Sequence, residues 1–289
     1  MLNFLKNNNK NIAELIMSDM KKDLHIHTCY SDGIFTPEEV VDRWKAEGYK
    51  LIAITDHDGM DGSIIGMDYA RGSGIMFISG IEFDSEDALG RDMHILGYGF
   101  DYNCPELRAN LFEILRRRAI RNDSMMKALN EMGYEITLDD IGKVNEGRYV
   151  GKPTFARIMS SKGYISNPQE AFGTVFREPS IRNISKKTFS SESVINLIHT
   201  AGGLAFFAHP MEQRHLDESF EEFKPRMYQI LDRMTEYGID GIECYHPSAS
   251  EEQAELLREY AEQRGLLISE GSDFHSDVSR RDFSRYHRP

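Results

Sequence analysis

A rhythm restricts the fold of this chain more than any other feature: short apolar runs alternate with helical patterns, and almost every run delivers a histidine or a carboxylate at or near its end. The runs are Leu24 to His27, "LIAIT" at 51–55, "IMFIS" at 75–79, "MHILGYGF" at 93–100, and the later stretches "GGLAFFAHP", "GIDGIECYHP" and "GLLISEGSDFH". Continuous apolar runs of this kind are what a parallel strand covered on both faces presents. The helices between them carry their own start signals. "TPEEVVDRWKAEG" has Thr36 as N-cap, Pro37 at the first position and Glu39 completing a capping box, and Gly48 ends it. Ser250 and Gln253 stand in the same relation at the head of "EEQAELLREYAEQRG". Seven candidate parallel strands with intervening helices predict an α/β chain folded as a (β/α) barrel rather than an open sheet.

One stretch departs from the rhythm. From about Tyr102 to Ser190 only helical periodicity is seen, through Leu107, Leu111, Ile114 and Leu115, then Met125 and Leu129 up to Gly133, with a restart at Asn167 and Pro168. The expected division is an N-terminal extension at 1–21, a barrel made of 22–101 and 190–289, and an all-helical insertion at 102–189 between strands four and five. The start, "MLNFLKNNNKNIAELIMSDMKK", is broken by asparagine and lysine and has no small-residue cleavage site. It predicts a mobile or loosely docked extension rather than a signal peptide.

Acidic residues number 47 against 34 basic, a formal charge of −13. That balance argues against sequence-blind or stable duplex nucleic-acid binding and against anionic membranes, though not against a local positive site. No apolar run approaches the ~18 residues of a membrane span. Cys29, Cys104 and Cys244 are odd in number and widely spaced, which fits a reducing cytoplasm better than a disulfide framework.

The reactive side chains gather where strands end. His25 and His27, two apart, share one face of the first strand, and Asp32 follows in the next loop. "TDHD" puts His57 after strand two, "GIEF" puts Glu82 just past strand three, and His94 falls early in strand four. "AHP", "YHP" and "GSDFH" put His209, His246, Asp273 and His275 after strands five, six and seven. In a β/α barrel those ends converge on one rim. A lone histidine after a strand is usually a hydrogen-bonded structural residue. Nine such groups (His25, His27, Asp32, His57, Glu82, His94, His209, Asp273 and His275) buried on one rim would be costly unless cations lay among them. A multinuclear metal site is the expectation.

"DLHIHTCYSDG", "AITDHD", "GIEF", "HILG", "AHP" and "GSDFH", in that order, resemble the polymerase and histidinol phosphatase (PHP) superfamily of metal-dependent phosphoesterases. The insertion after "HILGYGFD" is similar to a bacterial branch that contains 3′,5′-nucleoside bisphosphate phosphatases that also trim RNA 5′ ends; a related branch opens a phosphoribosyl cyclic phosphate. The resemblance implies a distorted seven-stranded, TIM-like (β/α)7 barrel and two to three divalent ions, manganese first, with zinc or iron as alternatives. It implies one ion held by His25, His27, Glu82 and Asp273, a second shared through Glu82 with His94 and His209, and a third held by Asp32, His57 and His275. The reaction it implies is attack on phosphorus by a metal-bridging hydroxide, at a catalytic centre that includes His209 and Asp273, with His246 assisting the leaving group. Asp56 and Asp58 are read as hydrogen-bond partners of His57 or as turn-formers.

A phosphorylated nucleotide or short oligonucleotide also needs protein cations. Arg118 and Arg121, three apart on one helix face, Lys152 ahead of a helix N-terminus and Arg157 are the candidates, with His246 beside them; a solvated basic face is the alternative. Other readings stay open: a cyclic phosphodiesterase acting on phosphoribosyl 1,2-cyclic phosphate, an amidohydrolase cleaving C–N bonds, and a non-catalytic module. The complete set of nine ligand candidates speaks against the last.

Overall fold

The computed structural model describes residues 2–145, 150–184, 187–215 and 217–277; the two outer ends of the expected division, Met1 and 278–289, and parts of the insertion lie outside them. The start signals read from sequence are used. α2 (Pro37–Ala46) has the Thr36/Glu39 capping box, and α11 (Glu251–Arg264) has the Ser250/Gln253 box. Asn167 caps α7 (Pro168–Gly173).

Among the described residues, nine strands form two sheets. β1 (Lys22–Ile26), β2 (Leu51–Ile54) and β3 (Met76–Phe77) make a parallel sheet of three. The second has the order β6-β4-β5-β7-β8-β9, with β4 (Gly80–Glu86), β5 (Asp92–Tyr98), β6 (Phe189–Ser190), β7 (Leu204–Phe207), β8 (Gly241–Tyr245) and β9 (Leu267–Glu270). β5 runs antiparallel to both β4 and β7.

The expectation that all seven strands run parallel is therefore corrected: the described residues form an α/β structure with mixed sheets, β5 is reversed, and no closed ladder joins the strands. Single bridges, Ile26 to Phe274 and His57 to Glu82, are where the two sheets meet. The departure has a local cause. "IMFIS" reads as a full strand, yet only Met76 and Phe77 pair in it. The chain then turns into β4 at Gly80, where a Cβ would lie 2.9 Å from Thr55 Cγ2 and would also meet the Ile54 carbonyl. Glycine lets β4 press against the end of β2 and carry on as the longer strand.

α3 (Asp61–Ala70) packs with α2 over the three-stranded sheet, around Trp44, Ile52, Ile54 and Phe274. α9 (Ser191–Thr200), α10 (Phe220–Glu236) and α11 cover the six-stranded sheet, around Phe83, Ile95, Phe207 and Leu231. α1 (Leu2–Ile16) corrects the expectation of a loose extension. Ile16 is fully buried with Leu51, Leu204 and Tyr98, and Ile12 packs in the same cluster. Leu51 and Leu204 begin their strands and Tyr98 ends the reversed β5, so α1 closes the end of the sheets away from the histidines.

The stretch expected as an insertion carries, between β5 and β6, α4 (Pro105–Glu131), α5 (Leu138–Asn145), α6 (Lys152–Ser161), α7 and α8 (Pro179–Arg182). α4 belongs to two cores. Leu107, Leu111 and Ile114 are buried with the sheet, whereas Met125 and Leu129 are buried with Phe155, Met159 and Phe176 of the insertion. At 1.5 Å per residue its length is about 40 Å, enough to span both.

Candidate metal centre

All nine side chains expected as ligands are brought to one end of the sheets. His25 is the fourth residue of the fully buried strand β1 and His27 follows directly; both are wholly buried, with their Nε2 atoms 3.1 Å apart. Glu82 lies on β4 itself rather than past a strand, because β4 is the strand that forms there. His94, early in β5, reaches the same end because β5 runs in reverse: a residue near its start sits level with the ends of the others.

Glu82 is the hub. Its Oε2 has His25 Nε2, His27 Nε2 and His57 Nδ1 at 3.3, 3.2 and 3.1 Å. Its Oε1 has His94 Nδ1 at 2.8 Å and His209 Nε2 at 3.0 Å. Asp273 Oδ1 stands 3.4 Å from His25 Nε2 and 3.2 Å from His27 Nε2. Asp32 Oδ1 is 3.1 Å from His275 Nε2 and 3.5 Å from His27 Nδ1, and its Oδ2 is 3.8 Å from His57 Nε2. The backbone is strained around the cluster, with φ of 27° at His209 and 50° at Asp273 and Asp58, a cost usually met at functional positions.

These residues fit a group of divalent cations. His25, His27 and Asp273 offer ligand atoms within 4.8 Å of one another, as do His25, Glu82 and His209, and His27, Asp32, His57 and His275. Glu82 Oε2 is buried with three imidazole nitrogens close by, yet it receives no hydrogen bond from any of them. Two ring nitrogens and a carboxylate oxygen meeting at about 3.2 Å are how ligand atoms stand around a shared ion.

The electrostatics have the same origin. Burial raises the carboxyls of Asp32, Glu82 and Asp273, but the neighbouring imidazoles outweigh it and hold all three below the usual carboxylate range. Burial opposes protonation of His27, yet Asp273 and Glu82 push it up to about 10. His57 goes the other way, to about 3, because burial dominates there.

Asp58 stands in the turn after His57, and it and Asp56 also bond away from that ring. Asp56 accepts hydrogen bonds from the Thr28 amide and hydroxyl, each 2.7 Å, and from Ser31 Oγ at 2.6 Å, tying the loop after β1 to the end of β2. Asp58 pairs with Arg118. Arg118 was expected at substrate; it is buried on α4, bound to Asp58 with Asp84 at 3.9 Å. Arg121 is also buried, against Met125 Sδ at 3.7 Å. Lys152 opens α6, and burial together with the Arg121 charge lowers its ammonium pKa. Arg157 lies further along the same helix. His246 joins the cluster edge, with its Nε2 3.6 Å from Asp273 Oδ2.

Two residues were missed. Asp84 lies 3.2 Å from His57 Nδ1 and 3.6 Å from His94 Nε2; two positions after Glu82 on one strand, it shares that residue's face, which the strand period signals. Glu243 is fully buried beneath His25 and His209. A single glutamate inside the apolar run "GIECY" was its signal.

A family model described as the PHP domain matches residues 23–272. The chain is 30% identical over 255 residues to a 5′-3′ exoribonuclease of Haemophilus influenzae, covering 88% of this chain and 90% of that one. It is 28% identical to a phosphoribosyl 1,2-cyclic phosphate 1,2-diphosphodiesterase of Eggerthella lenta, covering 90% and 96%. It is 30% identical to a 3′,5′-nucleoside bisphosphate phosphatase of Chromobacterium violaceum, covering 88% and 87%. Among solved structures, a metal-dependent phosphoesterase described from Bifidobacterium adolescentis aligns with a TM-score of 0.76 at 28% identity, covering 88% and 87%. A protein from Chromobacterium violaceum described as an amidohydrolase aligns with a TM-score of 0.78 at 30% identity, covering 90% and 89%.

Proposed function

We propose, from the premise that this chain belongs to the PHP domain family of metal-dependent phosphoesterases, that it hydrolyses a phosphate ester of a small nucleotide-like substrate, such as a 3′,5′-nucleoside bisphosphate or a short RNA 5′ end. The observation that carries this reading is the five imidazole nitrogens gathered around the one carboxylate of Glu82. The ligand grouping favoured is His25, His27, Glu82 and Asp273; Glu82, His94 and His209; and Asp32, His57 and His275. Two to three divalent ions suit it, manganese first, with zinc or iron as alternatives. The mixed sheets are read as a distorted (β/α)7 barrel whose ring narrows to a single bridge at each place where the two sheets meet. Three cysteines outside any disulfide and no helix among the described residues long and apolar enough to cross a membrane accord with a cytoplasmic enzyme.

Bound divalent ions supply neutralisation of phosphoryl oxygens and acidify water towards a pKa of ~7. The chain supplies position and protons. The Ser248 amide donates to His246 Nδ1 at 3.1 Å, so this ring takes its proton on Nε2, the nitrogen facing Asp273 Oδ2. An N–H held there suits a hydrogen bond to the oxygen of the departing group, which steadies its developing charge. Arg121 and Lys152 are favoured over Arg118 for a second phosphate, since Arg118 is already bound to Asp58. His209 and Asp273, strained in φ, hold their side chains on the cluster at fixed angles.

A second reading, opening of phosphoribosyl 1,2-cyclic phosphate, rests on the Eggerthella lenta relative. The test is phosphate or diester turnover by manganese-loaded protein across adenosine 3′,5′-bisphosphate, a 5′-phosphorylated short RNA, phosphoribosyl 1,2-cyclic phosphate and histidinol phosphate. Turnover of the first or second, lost in Asp273→Asn, supports the nucleotide reading. Turnover of only the cyclic ester selects the second. Silence on all four from metal-replete protein overturns both and directs attention to C–N substrates.

A further inference from the structure

Glu243 makes two bonds that no other carboxylate of the site makes together. Its Oε1 is 3.0 Å from His25 Nδ1, and its Oε2 accepts the His209 amide at 2.8 Å. Both distances lie in a fully buried setting. A carboxylate only accepts, so a neutral imidazole touching it through Nδ1 carries its proton there, and the lone pair of His25 is left on Nε2. Nε2 is the atom that faces His27 Nε2 at 3.1 Å, Glu82 Oε2 at 3.3 Å and Asp273 Oδ1 at 3.4 Å. The second bond holds a peptide that is strained, since His209 has a φ of 27°. The room for this arrangement is also specific. At Gly271, directly after β9, a Cβ would collide with His25 Cβ and with Glu243 Oε1, so only glycine lets the pair sit as it does.

We propose that Glu243 is a positioning residue that fixes the tautomer of His25 and the main chain of His209 at once, and so presents two ligands from two strands to the metal ions. The inference rests on the reading that ions occupy this cluster. One charged side chain serves two N–H donors only because it has two acceptor oxygens. Glutamine has the same shape but one acceptor, so in Glu243→Gln an NH2 group faces either the His209 amide, which loses its acceptor, or His25 Nδ1, which then accepts and carries its proton on Nε2 instead. The Glu243→Asp variant would retain both acceptors but would be one methylene short.

The experiment uses full-length protein loaded with zinc, which is diamagnetic. Zinc affinity is measured by chelator competition, thermal unfolding is followed in parallel, and the ring nitrogens of 15N-histidine-labelled protein are read by long-range 1H–15N NMR, with His25 assigned from His25→Asn. The wild type is expected to show His25 protonated on Nδ1 and bound through Nε2. Glu243→Gln is expected to bind zinc 10- to 100-fold more weakly, the range for loss of a carboxylate behind a metal-bound histidine. A wild-type His25 bound through Nδ1 overturns the inference without any variant, even if Glu243→Gln fails to fold. A folded Glu243→Gln that matches wild-type zinc affinity within twofold overturns it as well, and leaves the metal reading standing. Wild-type protein that takes up no zinc or manganese overturns the metal reading itself, and the inference with it.

Discussion

Replacing Arg118 by alanine removes the guanidinium bound to Asp58, a carboxylate 1% exposed in its side chain. Asp58 Oδ1 keeps the Asp84 amide at 3.1 Å, so the carboxylate is left with part of its solvation rather than none. Breaking a buried pair costs about 3–5 kcal/mol, and the retained amide bond places this site at the lower end, about 3 kcal/mol. At 2–4 °C per kcal/mol, Tm should fall by roughly 6–12 °C. The assay is thermal unfolding of Arg118→Ala, Asp58→Asn and the double variant, with kcat and KM measured well below every Tm. The double variant should regain a good part of the loss, because it no longer buries a charge that has lost its cation. A Tm within about 1 °C of wild type, together with a tenfold rise in KM, would refute this reasoning and return Arg118 to the substrate.

Without metal, the raised imidazoles of His25, His27, His94, His209 and His275 stabilise the fold fully below their unfolded pKa of about 6.5. That contribution is lost as pH rises through their folded values, about 10 for His27. The depressed carboxyls of Asp32, Glu82 and Asp273 contribute above about pH 4 and are lost on acidification. His57, lowered to about 3, works the other way, but the five raised imidazoles outnumber it, so metal-free protein should be most stable near pH 5–6 and melt lower by pH 9, and metal loading at pH 7 should release protons. Titration calorimetry in buffers of different ionisation enthalpy, or a flat melting profile, decides the point. Ile16→Ala should lower stability by about 2–4 kcal/mol with metal content and KM unchanged, since Ile16 is buried at the end away from the cluster; unchanged unfolding would mean that α1 is not docked.

Much of the centre was legible because strand ends announce themselves. The His25 and His27 pair, the "AHP" at His209 and the "GSDFH" around Asp273 each follow an apolar run, and the period of two places them without knowledge of partners. What was not legible depended on distant contacts. Arg118 and Arg121 were correctly set on one helix face, but the carboxylate that takes Arg118 lies in the loop after β2. "IMFIS" has the composition of a strand, and only the close approach allowed at Gly80 shows that the pairing moves to β4. Strand direction escaped as well: nothing in "MHILGYGF" says that it runs in reverse. His94 nonetheless reached the correct end, because its early place in the run and the reversal offset each other.

The division of α4 between two cores has a consequence for how the chain folds. β5 and β7 pair although roughly a hundred residues separate them, and closing so long a loop costs entropy that grows by about 0.6 kcal/mol per doubling of length. α4 stays with the sheet from Leu107 to Ile114 and enters the insertion core by Met125, and α9 comes back to pack on α4 just before β7 begins. An insertion that condenses first turns the long tether into a stiff hairpin of structure whose two ends already lie together. On that order of events the search for β5 by β7 would become a local step, and the insertion would act as a folding clamp for the sheet that carries the histidine cluster.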